Sequence, residues 1–394
     1  MTKEKTSLSF LVILSAFMAF TSLSTDIYLP AMPAMQQELG GRAELTVTGF
    51  VIGFALAQLI WGPISDHIGR KKPLFIGTLF FVIGSIGCAL SSSMEMVVLW
   101  RVFQAIGACT GPMISRAMIR DRYDSTQAAQ MLSTLMMIMA AAPIIGPLLG
   151  GGLLAVGSWR LIFWLMVVIG MIMFFSINLL PETLGETKRS HASLGNSFKN
   201  YAQLLASKKF MVYTMSVTFF YVAVYAFITG SSDIYINYFH VKPEVYSLLF
   251  GLNILGVSLM SMVNRRLVSR FDLSHLLVLS TSLAFIFSLI LALMGVTHSF
   301  GLLGIVIPMF LVFSMNGIVA ACANAAALNT VSDEMAGSAA ALLGSLQYGS
   351  GVIPSVLLAV FADKTAATMT IIIAISIFLS AVMAWLGREK KSFN

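Results

Sequence analysis

The chain has 394 residues, of which 58% are hydrophobic and only 10% carry charge, where a typical soluble domain has roughly 25% charged residues. A soluble body this apolar would expose large hydrophobic patches and aggregate, so a bilayer is its natural solvent. The net charge of +7 is no sign of nucleic-acid binding, because the basic residues stand in short loops between apolar runs, where they orient a membrane protein.

A spanning helix needs about 20 apolar residues. Runs of that kind fall near 8–36, 45–65, 73–92, 95–118, 129–155 and 159–180, and again near 210–238, 244–264, 273–297, 299–322, 337–361 and 366–388. The longest polar stretch, 181–209, separates the two sets. The expected fold is therefore all-α, with twelve transmembrane helices in two six-helix bundles, 1–180 and 210–394, joined by a cytoplasmic linker at 181–209. The loop charges agree with this count. With both termini cytoplasmic, Arg42, Arg160, Lys242 and Lys364 fall outside and Arg101 inside a helix, while every other lysine and arginine falls on the cytoplasmic side, as the positive-inside rule requires. The short basic start leads into an ordered apolar pattern with no small-residue cleavage site, and reads as the first helix.

Ser24-Thr25-Asp26-Ile27-Tyr28-Leu29, near the end of the first helix, is echoed by Ser231-Ser232-Asp233-Ile234-Tyr235-Ile236, near the end of the seventh. Duplicated halves are common in transporters, whose sites lie near the membrane midplane.

Two intramembrane charges carry the chemistry. An arginine at the depth of Arg101 costs roughly 2.5–3.5 kcal/mol on insertion scales and must face protein or a wet cavity. It stays charged at any relevant pH, so it can act on a neighbouring carboxylate or bond helix-end carbonyls. Asp26 is the carboxylate expected to pair with it. An aspartate within the membrane marks an ion or substrate route, and one beside an arginine is placed to exchange a proton. The plain alternative is a helix-end aspartate in outer water. Asp233 is a secondary acidic candidate, with a vestibule or helix-end role expected.

Gly62, Asp66, Gly69 and Arg70 stand in the basic loop between helices 2 and 3. The glycines permit close approach and a tight turn, and Asp66 can meet an arginine or a helix N-terminus. The plain reading is a topological anchor and the sharper one an inner gate. In helix 5, Ala142, Gly146 and Gly150 form a small-residue stripe for close helix packing, while Pro143 and Pro147 loosen its backbone. Tyr28, Gln58, Gln104, Tyr221, Tyr225, Asn253, Asn316 and Gln347 are candidates to line a cavity. No metal-ligand cluster, phosphate loop or nucleophile motif is present, and the three cysteines, Cys88, Cys109 and Cys322, have no paired spacing. An enzyme is not expected, and no cofactor.

These segments, over essentially the whole chain, resemble the major facilitator superfamily. Gly62–Lys72 is similar to its loop signature between helices 2 and 3. Arg101, Gln104 and Gly107 resemble its helix-4 motif. Gly146-Pro147 with Gly150-Gly151 resembles the helix-5 motif of its drug:proton antiporter branch, and Thr25–Ala31 the helix-1 motif of the bicyclomycin and chloramphenicol resistance (Bcr/CflA-like) subfamily. The resemblance implies a proton-coupled multidrug efflux antiporter of the bacterial inner membrane, multi-pass and monomeric, working by alternating access on small amphipathic drug-like molecules. Asp26 and Arg101 would handle proton and substrate, Asp66 and Arg70 the inner gate, and Gly146, Pro147 and Gly150 an antiporter hinge. The second-half counterpart of the loop, Asn264 to Asp272, departs from the pattern as a basic cluster. The alternative is a proton-coupled carrier of a metabolite such as a nucleoside or sugar.

Overall fold

The computed structural model describes residues 8–123, 125–186, 189, 194–332, 335–361 and 365–388. The expected cytoplasmic termini, with Lys3, Lys5, Lys390 and Lys391, lie outside these residues, as do Lys188 and Lys364. The described residues are helical, with no strand among them. They form two compact units, Met1–Leu194 and Gly195–Asn394.

The first unit holds α1 (Leu8–Asp26), α2 (Met32–Leu39), α3 (Glu44–Ile68), α4 (Lys71–Leu90), α5 (Met94–Ala108), α6 (Thr110–Arg122), α7 (Ser125–Val156) and α8 (Arg160–Ser176). The run expected as one helix over 8–36 is broken after Asp26. Pro30 and Pro33 bring no N–H to the carbonyls four residues back, and the chain passes through a 3-10 turn, Leu29–Ala31, before α2 resumes. Prolines inside a spanning segment are tolerated where other groups take up the freed carbonyls.

The second unit holds α10 (Lys208–Ser232), a π-helical turn over Asp233–Tyr238, α11 (Pro243–Leu267), α12 (Leu273–Thr297), α13 (Gly301–Ser314), α14 (Asn316–Leu328), α15 (Ala336–Gly349), α16 (Val352–Val360) and α17 (Ala367–Leu386). The linker region also contains a helix, α9 (Leu194–Ala206), seated by buried Tyr201 and Leu204.

Eleven segments among the described residues are long and apolar enough to cross a membrane. The fifth expected span is α7, a 32-residue helix, whose described apolar stretch is Ala141–Val156. Exposed leucines and isoleucines such as Leu56, Ile60, Ile172, Leu255, Leu259 and Leu293 clothe the units for lipid.

Close packing sets the position of α5. It lies against α3 and α4, and a Cβ at Gly49 or Gly53 of α3 would come within 2.5 Å of the Val98 or Val102 carbonyl. With no side chain at those two positions, the helices approach closely enough to press Phe50 onto the side chain of Arg101.

Candidate functional site

Arg101 is fully buried. One Nη1 hydrogen bond goes to the Ser24 carbonyl at 3.0 Å, near the end of α1 where the helical ladder fails. A second goes to Gln104 Oε1. The rings of Tyr28 and Phe50 lie over the guanidinium, each with its centroid 4.3 Å from Cζ, an attraction that gains strength when desolvated. Nε and Nη2 have no hydrogen-bond acceptor. The environment is held in turn by its neighbours. Tyr28 shares a 3.0 Å hydrogen bond with Thr46 Oγ1, and Gln104 Nε2 donates to Ser85 Oγ at 2.7 Å.

Asp26 is 5% exposed, which answers the alternative of a helix-end aspartate in open water. The expected direct pair with Arg101 does not form: no Asp26–Arg101 contact is among the ion pairs of the described residues. The physical reason is the break in α1, which turns a backbone carbonyl and the Tyr28 ring onto the guanidinium in place of the carboxylate. Asp26 instead lies against α7. A Cβ at Gly146 would stand 3.5 Å from Asp26 Cβ and 3.3 Å from the Ile27 nitrogen, and a Cβ at Gly150 would stand 1.7 Å from the Ile27 oxygen. The small-residue stripe of α7 thus packs directly on the residue expected to exchange the proton. Pro147, between these glycines, is buried.

At the basic end of the same unit, Arg70 organises the loop. Its Nη1 donates to Ser65 Oγ at 2.9 Å and to Asp66 Oδ1 at 2.7 Å. Its Nε and Nη2 fork onto the Asp121 carboxylate at 2.7 and 3.2 Å, a bidentate geometry that suits guanidinium. Burial opposes the Arg70 charge, but hydrogen bonds to Asp121 and Asp66 outweigh it and hold the pKa above the usual arginine value.

Glu182 accepts the backbone N–H groups of Arg70 (2.9 and 3.0 Å) and Lys71 (3.1 Å), which caps the open N-terminus of α4. Gly69 has φ +95°, and a Cβ there would also strike Glu182 Oε2 at 2.7 Å, so the turn requires glycine twice over. Gly62 differs: a Cβ would meet only Met113 Sδ, at 3.9 Å, so the close approach expected there is absent. Sequence reasoning missed Asp121 and Glu182. The available signals were an acid set among Arg120 and Arg122, and a glutamate directly after a helix end.

In the second unit, Tyr221, Tyr225 and Tyr348 cluster, with ring centroids 6.4 Å apart for the first two and 6.2 Å for Tyr221 and Tyr348. Asn253 is turned to its own helix, donating to the Leu249 carbonyl at 3.0 Å. Gln58 stands half-buried in α3 with its Oε1 unpartnered. Asp233 is half-buried and accepts a 2.5 Å hydrogen bond from Asn237, one turn on.

Comparison with known proteins gives the family. The Major Facilitator Superfamily sequence model matches residues 12–355. The chain belongs to this superfamily. It is similar to the MFS-type transporter YdgK of Bacillus subtilis (strain 168), itself uncharacterized, with 33% identity over 99% of this chain and 97% of that one. It is also similar to the bicyclomycin resistance protein homolog of Haemophilus influenzae, with 25% identity over 97% and 96%. Among solved structures it resembles a D-xylose-proton symporter, with a TM-score of 0.76 and 13% identity over 98% of each chain, a likeness of fold alone. This facilitator is accordingly a multi-pass membrane transporter and not an enzyme, and its resemblance to the bicyclomycin and chloramphenicol resistance subfamily extends over nearly the whole chain.

Proposed function

We propose that the protein is a proton-coupled antiporter of the bacterial inner membrane, acting as a monomer to export small amphipathic drug-like molecules. The carrying observation is the seat of Gly146 and Gly150 on Asp26 and Ile27. It joins the helix expected to bend to the carboxylate expected to titrate, so a change at either is felt at the other. The similarity to a bicyclomycin resistance protein homolog supports drug-like cargo.

In the proposed cycle, Asp26 binds a proton from the outer side, its carboxylate is neutralised, and substrate leaves. With the site open to the cytoplasm, the proton departs and substrate binds again. Arg101 supplies a fixed positive charge that never titrates. It makes the ionised carboxylate tolerable in an apolar setting without forming a closed pair that would lock the proton out. Proton and substrate must exclude one another, since a carrier that bound both equally would dissipate the gradient without pumping. Alternating access then requires the Arg70 cluster to open and close, with Asp66, Asp121 and Glu182 as its fastenings.

The test uses everted vesicles energised to be acid inside. Chloramphenicol and cationic dyes are added while the proton gradient is followed. Substrate-induced loss of the gradient in wild type, absent in Asp26→Asn, is expected. Loss that persists in the variant moves the proton site elsewhere, Asp233 first. No response to any drug, with proton-dependent uptake of a nucleoside or sugar in intact cells, sinks the exporter reading.

A further inference from the structure

The first span has a second rigid piece beyond its break. α2 has 8 residues and a soft joint at each end. On one side is the break at 27–31. On the other are Gly40 and Gly41, with φ +68° and +72°, a conformation that suits glycine. So short a helix does not hold itself in place, and its one ionisable side chain is Glu38. The Glu38 carboxylate is gripped from the start of α8. Its Oε2 accepts a hydrogen bond from Trp159 Nε1 at 2.7 Å, and its Oε1 accepts one from Arg160 Nη1. Arg160 Nη2 in turn donates to the Ser91 carbonyl at 3.1 Å, just past the end of α4. The Arg160 guanidinium lies over the Trp159 ring, 4.3 Å from its centroid. One carboxylate thus joins the ends of α2, α4 and α8.

An exposed ion pair alone contributes little, and Glu38 and Arg160 are both partly exposed. Trp159 adds what the pair lacks, because it is buried and leads inward. Its ring meets Phe163 edge-on with centroids 5.9 Å apart, and Phe163 meets Tyr28 at 5.9 Å. Tyr28 lies over the Arg101 guanidinium. Packed rings therefore run from the Glu38 carboxylate to the buried arginine.

The second unit has no such clamp. Its last span, α17, starts with Ala366 and Ala367 at the N-cap and first helical positions, where α8 has Trp159 and Arg160. The π turn at Asp233–Tyr238 is followed by α11 with no counterpart of α2 between them. The clamp stands only in the unit whose aspartate is buried.

We propose that Glu38 is a positioning residue for the exchange at Asp26, holding α2 against α8 so that the outer approach to Asp26 stays closed. When the carboxylate lets go, α2 turns about the break and the Gly40–Gly41 joint and admits the outer solution. The inference rests on Asp26 as the coupling carboxylate proposed above, but its test needs no gradient.

Thr25, beside Asp26, is half-buried and bonds only carbonyls of its own helix. The full chain carrying Thr25→Cys is expressed in intact cells, and a charged, membrane-impermeant thiosulfonate is added outside. Adding Glu38→Gln, which keeps the shape and gives up the charge, is expected to raise the labelling rate at position 25 by about fivefold or more, the mark of a more frequent local opening. Glu38→Asp keeps the charge and should recover about half or more of the protection. Trp159→Phe keeps a ring against Phe163 and removes the N–H, so its rise should be smaller. Glu95→Gln, at an exposed acid outside the clamp, should cause none. Ser232→Cys, at the matching position of the second unit, is the reference and should change by less than about twofold. If Glu38→Gln does not fold, Trp159→Phe carries the measurement. An unchanged rate at position 25, an equal rise at position 232, or Glu38→Asp behaving as Glu38→Gln overturns the positioning role. A rise confined to position 25 in a protein that shows no drug–proton exchange in vesicles keeps the clamp and removes antiport.

Discussion

The two copies of one short motif stand in different surroundings. In both, a helix loses its regular form at the aspartate: α1 gives way to a 3-10 turn after Asp26, and α10 to a π turn at Asp233. In both, the tyrosine two residues on is fully buried and reaches the first turn of the next span. Tyr28 bonds Thr46, and the Tyr235 ring lies 6.0 Å from that of Tyr246. The backbone device is thus shared, and the difference lies in what surrounds the carboxylate. Asp26 is nearly sealed, with Arg101 beneath the same turn and α7 glycines against it. Asp233 has Asn237 and partial exposure. On the proposed reading the buried first copy is the coupling carboxylate, and the half-exposed second copy is not.

The largest expected effect follows directly. Asp26→Asn should reduce substrate-driven proton movement to background. Asp233→Asn should keep it within about twofold, as for a substitution away from any buried network. Gradient measurements on the two variants side by side would break the comparison if they matched. Next in size is Gly150→Ala, whose methyl would overlap the Ile27 carbonyl. It is expected to cost about 1–3 kcal/mol of stability, as overpacking does, and to impair coupling with it. Gly146→Ala, with 3.3 Å of room, should cost less. Thermal melts with transport assays rank the pair, and the reverse order would show that α7 does not seat on Ile27 as described.

A similar contrast separates the basic ends of the two units. All three guanidinium nitrogens of Arg70 donate hydrogen bonds. At the second-half counterpart, Arg265, Arg266 and Arg270 are exposed, and Asn264 accepts a hydrogen bond from Cys322 Sγ at 3.4 Å. Glu182→Ala uncaps α4 and is expected to cost about 0.5–2 kcal/mol, while Arg270→Ala should change stability by less than about 0.5 kcal/mol. Denaturation midpoints of the two variants test this.

Much of this was legible in the sequence because the bilayer leaves few options. Span length, loop charge and the rarity of intramembrane Asp26 and Arg101 are written in residue types. The glycines of α7 were equally visible, although their target was not. What escaped were partners that have no signature of their own. The Ser24 carbonyl that meets Arg101 is backbone, and any residue could have supplied it. Asp121 and Glu182 stand 51 and 112 residues from Arg70, and only the fold brings them to it. The interruptions at Met315 and Ser350–Gly351 were hidden because hydropathy averages over a span and does not register one irregular turn.

The smallest effect tests whether the shared backbone device matters in both copies. Thr46→Val removes the hydroxyl that meets Tyr28 and keeps the shape. Tyr246→Phe removes the hydroxyl that shares a 3.1 Å hydrogen bond with Ser231 and keeps the ring that meets Tyr235. Each should lower stability by about 0.5–1.5 kcal/mol, the net worth of one hydrogen bond. Their effects on transport should differ. Tyr28 is also a face of the Arg101 site, so Thr46→Val should alter the pH dependence of drug–proton exchange, whereas Tyr246→Phe should leave that profile in place. Equal shifts in both would mean that the second copy titrates as well, and that the asymmetry seen around the carboxylates does not extend to function.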